Sequence, residues 1–276
     1  MDDLFKEILK EDIGYGDVTS NALISDDSIS SGFIVSKDFG ILAGVGVVLD
    51  IFGEYGINVL NFLDDGSNIK PGDKLIEFEG DSKTILLLER TVLNILMRMS
   101  GVASKTNSIV SKVKDVNPNV RVAGTRKTSP ALQRYDKEAI FIGGGDPHRN
   151  CLDDMVLIKD NHINIVGGVL EALKLAKENT SFSKKIEIEV ETCEDAVLVA
   201  REGVDIVMLD NMSVDEALET INSLKDEGLR DGILVEVSGG ITEDNILDYA
   251  VLDVDIISLG ALTHSVSSLN FSLDVN

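Results

Sequence analysis

Residues 184–191 read KKIEIEVE, 204–211 VDIVMLDN and 232–240 GILVEVSGG, short runs rich in β-branched residues that end in acids, amides or glycines. The runs VRVAGT (120–125), DDMVLIKD (153–160) and VDIISLGA (254–261) share that form. Windows 166–179, 193–202, 213–227 and 242–251 lie between them and carry helical periodicity. Strands alternating with helices predict parallel βαβ units, and six or seven in succession predict a barrel. In a (β/α) barrel the functional groups stand at the C-terminal ends of the strands. Here those ends are Thr125-Arg126-Lys127, Lys159-Asp160-Asn161, Glu189-Val190-Glu191, Asp210-Asn211, Ser238-Gly239-Gly240 and Leu259-Gly260. One polar end is ordinary, because any strand entering solvent needs one. Six ends carrying charges, glycines or both point to a site.

Upstream the pattern is less regular. Leu4, Phe5, Ile8 and Leu9 form one helical stripe. GFIVSKD (32–38), GILAGVGVVL (40–49), GINVLNFL (56–63) and DKLIEFEG (73–80) read as extended segments, with Pro71-Gly72-Asp73 as a turn. Residues 82–100 predict a long helix, and a second helix is expected after Gly101, through Val116. Together these make a small α+β unit.

Charge narrows the function. Across 276 residues, 48 acids against 25 Lys and Arg give a formal net charge of −23. The outer surface therefore repels nucleic acid and anionic membranes. A hydrophobic content of 43% excludes wholesale disorder. The start, MDDLFKEILKED, has acids where an export signal needs a basic segment. The most apolar stretch, Ile85 to Met99, is broken by Glu89, Arg90 and Arg98, so no membrane span is expected. Cys151 and Cys193 are too few for a disulfide framework or a zinc cage, and a reducing cytosol is the expected compartment. There is no GxGxxG or P-loop pattern to support a dinucleotide or Walker-type nucleotide site.

Against that acidic background, residues 121–162 hold seven Lys or Arg and six acids, a local charge of +1 in a remainder of −24. Two of the three histidines, His148 and His162, fall in the same segment. Clusters of this kind usually cover a solvated helix face, but Arg126-Lys127 and His148-Arg149 fall at strand ends or in glycine-rich loops. Arg offers a planar fork to carboxylate or phosphate, and Lys a compact mobile charge. Gly143-Gly144-Gly145 would let backbone N–H groups approach a ligand. Glu189 and Asp210, at two strand ends, suit Mg²⁺ or sugar hydroxyls, with salt bridges to the basic segment as the plainer alternative. Ser238-Gly239-Gly240 and Gly260 suit a phosphate, or are ordinary turn glycines. The residues thus predict a barrel site for a sugar phosphate, Mg²⁺ and a small polyacid.

TRKTSP (125–130), GGGDPHR (143–149), LIKDNHI (157–163), MLDN (208–211), EVSGGI (236–241) and LGALTHSV (259–266) resemble the quinolinate phosphoribosyltransferase family. EDIGYGDVTS (11–20) and the stretch from Leu86 to Ser104 fit it too, in the same order along almost the whole chain. The resemblance implies an N-terminal α/β sandwich domain, residues 1–105, followed by an incomplete TIM-like (β/α) barrel, residues 106–265. It also implies a tail, 266–276, that returns to the first domain. The implied reaction joins quinolinate to 5-phosphoribosyl 1-pyrophosphate in NAD biosynthesis. Pyrophosphate and CO₂ leave, nicotinate mononucleotide remains, and Mg²⁺ is required.

Carried over by matching motif, Arg126, His148 and Arg149 would grip the quinolinate carboxylates. Arg90 would reach the same pocket from the neighbouring subunit of a homo-oligomer, a dimer or an assembly of dimers. Lys127 and Lys159 would face the pyrophosphate, and Glu189 and Asp210 would hold the ribose hydroxyls and Mg²⁺. Ser238, Gly239 and Gly260 would cradle the 5′-phosphate. The chain departs from the family pattern at Ala131, where Gly is usual, at Gln133, commonly basic, at Pro147, usually Asn, and at Cys151, usually Gly. Pro147 is similar to paralogues associated with molybdenum transport, whereas Lys159-Asp160-Asn161-His162 is not. The alternatives are such a paralogue, an enzyme acting on nicotinate, and a non-catalytic sugar-phosphate-binding barrel. The four groups Arg90, Arg126, His148 and Arg149 favour a ligand with two carboxylates.

Overall fold

The computed structural model describes residues 3–276; Met1 and Asp2, which open the acidic start, lie outside the described residues. In chain order the early elements are α1 (Asp3–Ile13), α2 (Val18–Leu23), β1 (Ile29–Ser36), β2 (Gly40–Ile41) and α3 (Val45–Glu54). They are followed by β3 (Asn58–Phe62), β4 (Asn68–Ile69), β5 (Lys74–Asp81) and α4 (Ser82–Val116). The later elements are β6 (Arg121–Ala123), α5 (Gln133–Ile142), β7 (Val156–Ile158), α6 (Asp160–Val166), α7 (Val169–Asn179) and β8 (Ile186–Val190). The chain ends through α8 (Cys193–Arg201), β9 (Ile206–Asp210), α9 (Val214–Asp226), β10 (Leu234–Ser238), α10 (Ile246–Ala250), β11 (Ile256–Ser258), α11 (Ala261–His264) and β12 (Phe271–Val275).

Two compact units emerge. One comprises the chain through Asn107 with Ser129–Gly144 and Ser265–Asn276, and the other Ser108–Thr128 with Gly145–His264. Segment 129–144, placed with the barrel on sequence, thus groups with the first unit. That unit holds an antiparallel sheet in the order β12-β1-β5-β3, so the C-terminal strand pairs with β1. Its core includes Ile34, Ile76 and Phe78 from the sheet, Phe52 from α3, and Leu88, Leu93 and Leu96 from α4, all at most 2% exposed. Phe52 meets Phe78 edge-on at 5.2 Å. The predicted stripe of α1 buries Phe5 and Leu9.

Two expectations need correction. GILAGVGVVL is not one strand: after β2 the chain turns at Gly44 (φ +99°) into α3. The apolar positions Val45, Val48, Ile51 and Phe52 recur at helical spacing and are buried, and the Asp65 carboxylate accepts from the Val45 and Gly46 N–H groups. Nor does a helix end at Gly101, since α4 runs unbroken for 35 residues. Gly101 serves close packing instead, because a Cβ there would strike the Ser267 carbonyl.

The second unit holds six parallel strands in the order β6-β11-β10-β9-β8-β7, an open, barrel-like α/β sheet. Strand alternation sorts its side chains. Ile188, Val207, Leu209, Val235 and Val237 are at most 1% exposed, and α8 packs on β8 and β9 through its buried face of Ala196, Val199 and Ala200. The opposite parity carries Leu157, then Glu187 and Glu189, Met208 and Asp210, Glu236 and Ser238. No described helix is long and apolar enough to cross a membrane.

Candidate active site

The inward parity of the second unit converges on a cleft of about 540 Å³. Nine of the eleven residues singled out from sequence line it: Arg126, Lys127, His148, Arg149, Lys159, Glu189, Asp210, Ser238 and Gly239. Arg90 does not; it lies exposed on α4 in the first unit, 3.9 Å from Glu89. Gly260 is not in the lining either, but a Cβ on it would come within 3.3 Å of the Lys127 side chain and 2.9 Å of the His264 ring. Its bareness therefore makes room for a residue that does line the cleft. His264, unassigned on sequence, is a packing histidine against Gly260.

The lysines are held from both ends. Thr125 Oγ1 accepts the Lys127 N–H at 3.1 Å, and Thr263 Oγ1 donates to the Lys127 carbonyl at 2.7 Å. Lys159 caps α6, where His162 Nδ1 accepts its backbone N–H at 3.0 Å. His162 thus bonds the backbone at the start of α6, one half of a capping box, since the Lys159 side chain has no acceptor to supply the other. The Lys159 ammonium pairs with Glu189.

Glu189 and Asp210 also face a second hollow of about 280 Å³, lined by Asp160, Glu191 and Asp195 among others. Asp210 accepts from the Asn211 amide at 2.9 Å, and Asn211 adopts φ +56°. Ser238 joins Ser258 through their hydroxyls at 3.0 Å, tying β10 to β11 at the mouth. Gly239 (φ +82°) and Gly240 (φ +64°) turn the chain sharply there, and a Cβ on Gly239 would overlap Asn211. Only glycine takes that conformation at that distance without strain.

The corner formed by His148 and Arg149 is deeper. Arg149 is 8% exposed, and burial, then the neighbouring Arg126 charge, holds its guanidinium below the ordinary arginine range. His148 sits in left-handed backbone (φ +56°), pinned by its N–H to Asp146 Oδ1 at 2.8 Å. Its Nε2 lies 3.1 Å from Glu236 Oε2, a hydrogen bond, and 3.4 Å from Glu187 Oε2, an ion pair too poorly aligned to be one. Burial opposes a charged ring, but Glu187 and Glu236 outweigh it and push the His148 pKa up to about 10. Burial likewise raises the pKa of Glu187.

Sequence reading passed over Glu187 and Glu236. The available signal was parity, since each lies two residues before a predicted site residue on the same strand face. The glycine triplet plays a different part from the one expected. A Cβ on Gly143 would lie 2.8 Å from Thr106 Cβ, Gly144 takes a left-handed turn at φ +87°, and none of the three lines the cleft.

The fold and site define a class: a two-unit α/β protein whose barrel-like unit gathers cations, carboxylates and turn glycines around one anion-sized cleft. The family models for the N-terminal and C-terminal domains of quinolinate phosphoribosyl transferase match residues 17–100 and 102–274. A Methanocaldococcus jannaschii protein named "Probable nicotinate-nucleotide pyrophosphorylase (carboxylating)" is 49% identical, over 99% of this chain and 96% of its own. The human nicotinate-nucleotide pyrophosphorylase (carboxylating) is 36% identical over 91% of this chain and 84% of its own. A crystal structure of NadC from Streptococcus pyogenes superposes with a TM-score of 0.90 at 35% identity, covering 99% of this chain and 95% of that one. The chain belongs to the quinolinate phosphoribosyl transferase family.

Proposed function

We infer that this chain transfers the phosphoribosyl group of 5-phosphoribosyl 1-pyrophosphate to quinolinate, forming nicotinate mononucleotide for NAD biosynthesis. The observation that carries this reading is one cleft in which Arg126, His148 and Arg149 stand beside Lys127, Lys159, Glu189 and Asp210. Arg126, His148 and Arg149 take the two carboxylates, and Lys127 and Lys159 take the pyrophosphate. Ser238 and Gly239 receive the 5′-phosphate at the β10 turn.

The ring nitrogen of quinolinate bonds to ribose C1 as the bond from C1 to pyrophosphate breaks. Charge grows on the leaving group where the two ammonium groups stand, and fixed charges act there without reorganisation. The adjacent quinolinate carboxylate then leaves as CO₂, its bonding electron pair passing to the pyridinium ring, and a proton from solvent replaces it. The pyridinium is its own electron sink, so this chain's contribution is orientation and electrostatics.

Glu189 and Asp210 fit Mg²⁺ by chemistry, being carboxylates at neighbouring strand ends that border both hollows, and Mg²⁺ is commonly bound by one or two such groups with water and phosphate oxygens. When bound, Mg²⁺ neutralises pyrophosphate charge. A homo-oligomer in which the exposed Arg90 serves a neighbouring subunit completes this reading. The two free thiols, Cys151 and Cys193, accord with a cytosolic setting.

The deciding assay supplies 5-phosphoribosyl 1-pyrophosphate and Mg²⁺ with either quinolinate or nicotinate and follows CO₂ and mononucleotide. CO₂ and mononucleotide from quinolinate are expected. Mononucleotide from nicotinate alone would overturn the reading.

A further inference from the structure

Barrel interiors are normally filled by branched apolar side chains. This one holds Glu187 and Glu236, both with 0% exposure, on the inward faces of β8 and β10. Neither belongs to the set just assigned to acid, ribose or pyrophosphate. Their ligand atoms and the His148 ring lie within 4.8 Å of one another, and both Glu187 oxygens lack a hydrogen-bond partner. Ionised carboxylates at such depth are tolerated when opposite charge meets them. Here the His148 ring faces both, and the Arg149 charge also acts on Glu187, against the burial that raises its pKa.

The geometry at the imidazole is one-sided. Both carboxylates approach Nε2, and no side chain among the described residues engages Nδ1. A neutral ring with its proton on Nε2 would leave a lone pair on Nδ1 and repel an incoming carboxylate. A charged ring carries N–H on both nitrogens. The two buried carboxylates favour that charged form while engaging only one of its donors. The left-handed backbone of His148, fixed by Asp146, holds the ring in place.

We propose that Glu187 and Glu236 are positioning residues for acid recognition, holding His148 through Nε2 so that Nδ1–H is the donor presented to a substrate carboxylate. This rests on the reading that His148 contacts the acid. The pair sets specificity: a carboxylate is attracted at Nδ1, and a group that must itself donate a hydrogen bond there is rejected.

The test uses the full-length protein with Mg²⁺ and both substrates. Glu236→Gln and the double variant E187Q/E236Q should raise KM for quinolinate at least tenfold and leave KM for 5-phosphoribosyl 1-pyrophosphate within twofold. His148→Ala is the control. If it leaves the quinolinate KM unchanged, the placement of the acid against His148 is wrong and this proposal goes with it. If it raises that KM while both glutamine variants leave it unchanged, the proposal alone is overturned. Should the variants fail to fold, ¹⁵N NMR of the wild-type His148 ring decides. Both ring nitrogens should be protonated at neutral pH, and quinolinate should shift Nδ1 while Nε2 stays. A neutral ring, or a shift at Nε2 alone, overturns the assignment. So does Mn²⁺ broadening of this ring that persists without substrates in E189Q/D210N, which would make the trio a cation site instead.

Discussion

Arg98 on α4 grips Asp136 on α5 with two parallel hydrogen bonds, Nε to Oδ1 and Nη2 to Oδ2, both 2.8 Å long. Asp136 has no exposed side-chain surface and Arg98 has 20%. This bidentate pair fixes segment 129–144 within the first unit. Arg98→Met removes the partner and leaves a buried carboxylate uncompensated, which costs about 3–5 kcal/mol. Thermal unfolding should show a large fall in Tm, and the double change R98M/D136L should recover most of it. No fall in R98M would mean that the pair holds nothing together, and a fall without recovery would trace the loss to the pair's own bonds rather than to an unpaired charge.

Ala131 adopts φ +66°, in the left-handed region where a Cβ crowds the backbone. It is one of the departures from the family pattern, and the fold keeps the glycine conformation there without the glycine. Relief of a strain of about 1–2 kcal/mol exceeds the extra chain entropy that glycine loses, about 0.5–1 kcal/mol. Ala131→Gly should therefore raise Tm by about 1–3 °C, given that about 1 kcal/mol moves a chain of this size by about 2–4 °C. Calorimetry checks it, and a lower Tm would show that Ala131 makes contacts worth more than its strain.

Much of this architecture was legible because one face of each barrel strand is buried under helices, which imposes alternation and turn chemistry on a short run. Arg126, Lys127, Lys159, Glu189 and Asp210 could be read as strand ends for that reason. What escaped depends on contacts between positions far apart in sequence. Gly101 reads as a helix end until Ser267 is brought against it, and Gly143 as part of a ligand-binding loop until Thr106 is. Glu187 and Glu236 look like ordinary solvated acids in an acidic protein. Only closure of the sheet turns them inward, and only His148, dozens of residues from either, explains how they are tolerated.

The charge of the exposed Arg126 acts on the buried Arg149, and an acid ligand relieves that repulsion. Arg149→Ala should weaken quinolinate binding by about 1.5–3 kcal/mol, roughly 10- to 150-fold, through loss of a charge-assisted hydrogen bond. Affinity for 5-phosphoribosyl 1-pyrophosphate should change little. Isothermal titration with each substrate separates the two effects, and equal losses would remove Arg149 from the acid-binding role.

Lys159 pairs with Glu189 in the free protein, so its ammonium is already positioned before pyrophosphate begins to leave. Lys159→Met keeps the length and apolar stem but deletes the charge. The expected loss is about 10²–10³-fold in kcat with a small change in quinolinate KM, because the stabilised charge develops only in the transition state. Single-turnover measurement isolates this step. A rise in the KM for 5-phosphoribosyl 1-pyrophosphate at unchanged kcat would place the lysine in ground-state binding.

The pKa of His148 is raised from 6.5 to about 10, despite burial, by the two carboxylates beneath it. A raised value means that the native state binds the proton more tightly than the unfolded chain does. Its contribution to stability is therefore complete below pH 6.5 and disappears as pH rises through about 10. Across pH 7 to 9, where an ordinary histidine is already neutral, the ring stays charged, and quinolinate affinity should be flat. Its loss should begin only as pH nears the pKa, in a range where lysines also start to titrate. The ¹³Cε1 resonance of His148 reports the imidazole alone, so its titration midpoint measures the ring directly. A midpoint near 7 would show that Glu187 and Glu236 do not hold the proton on the ring.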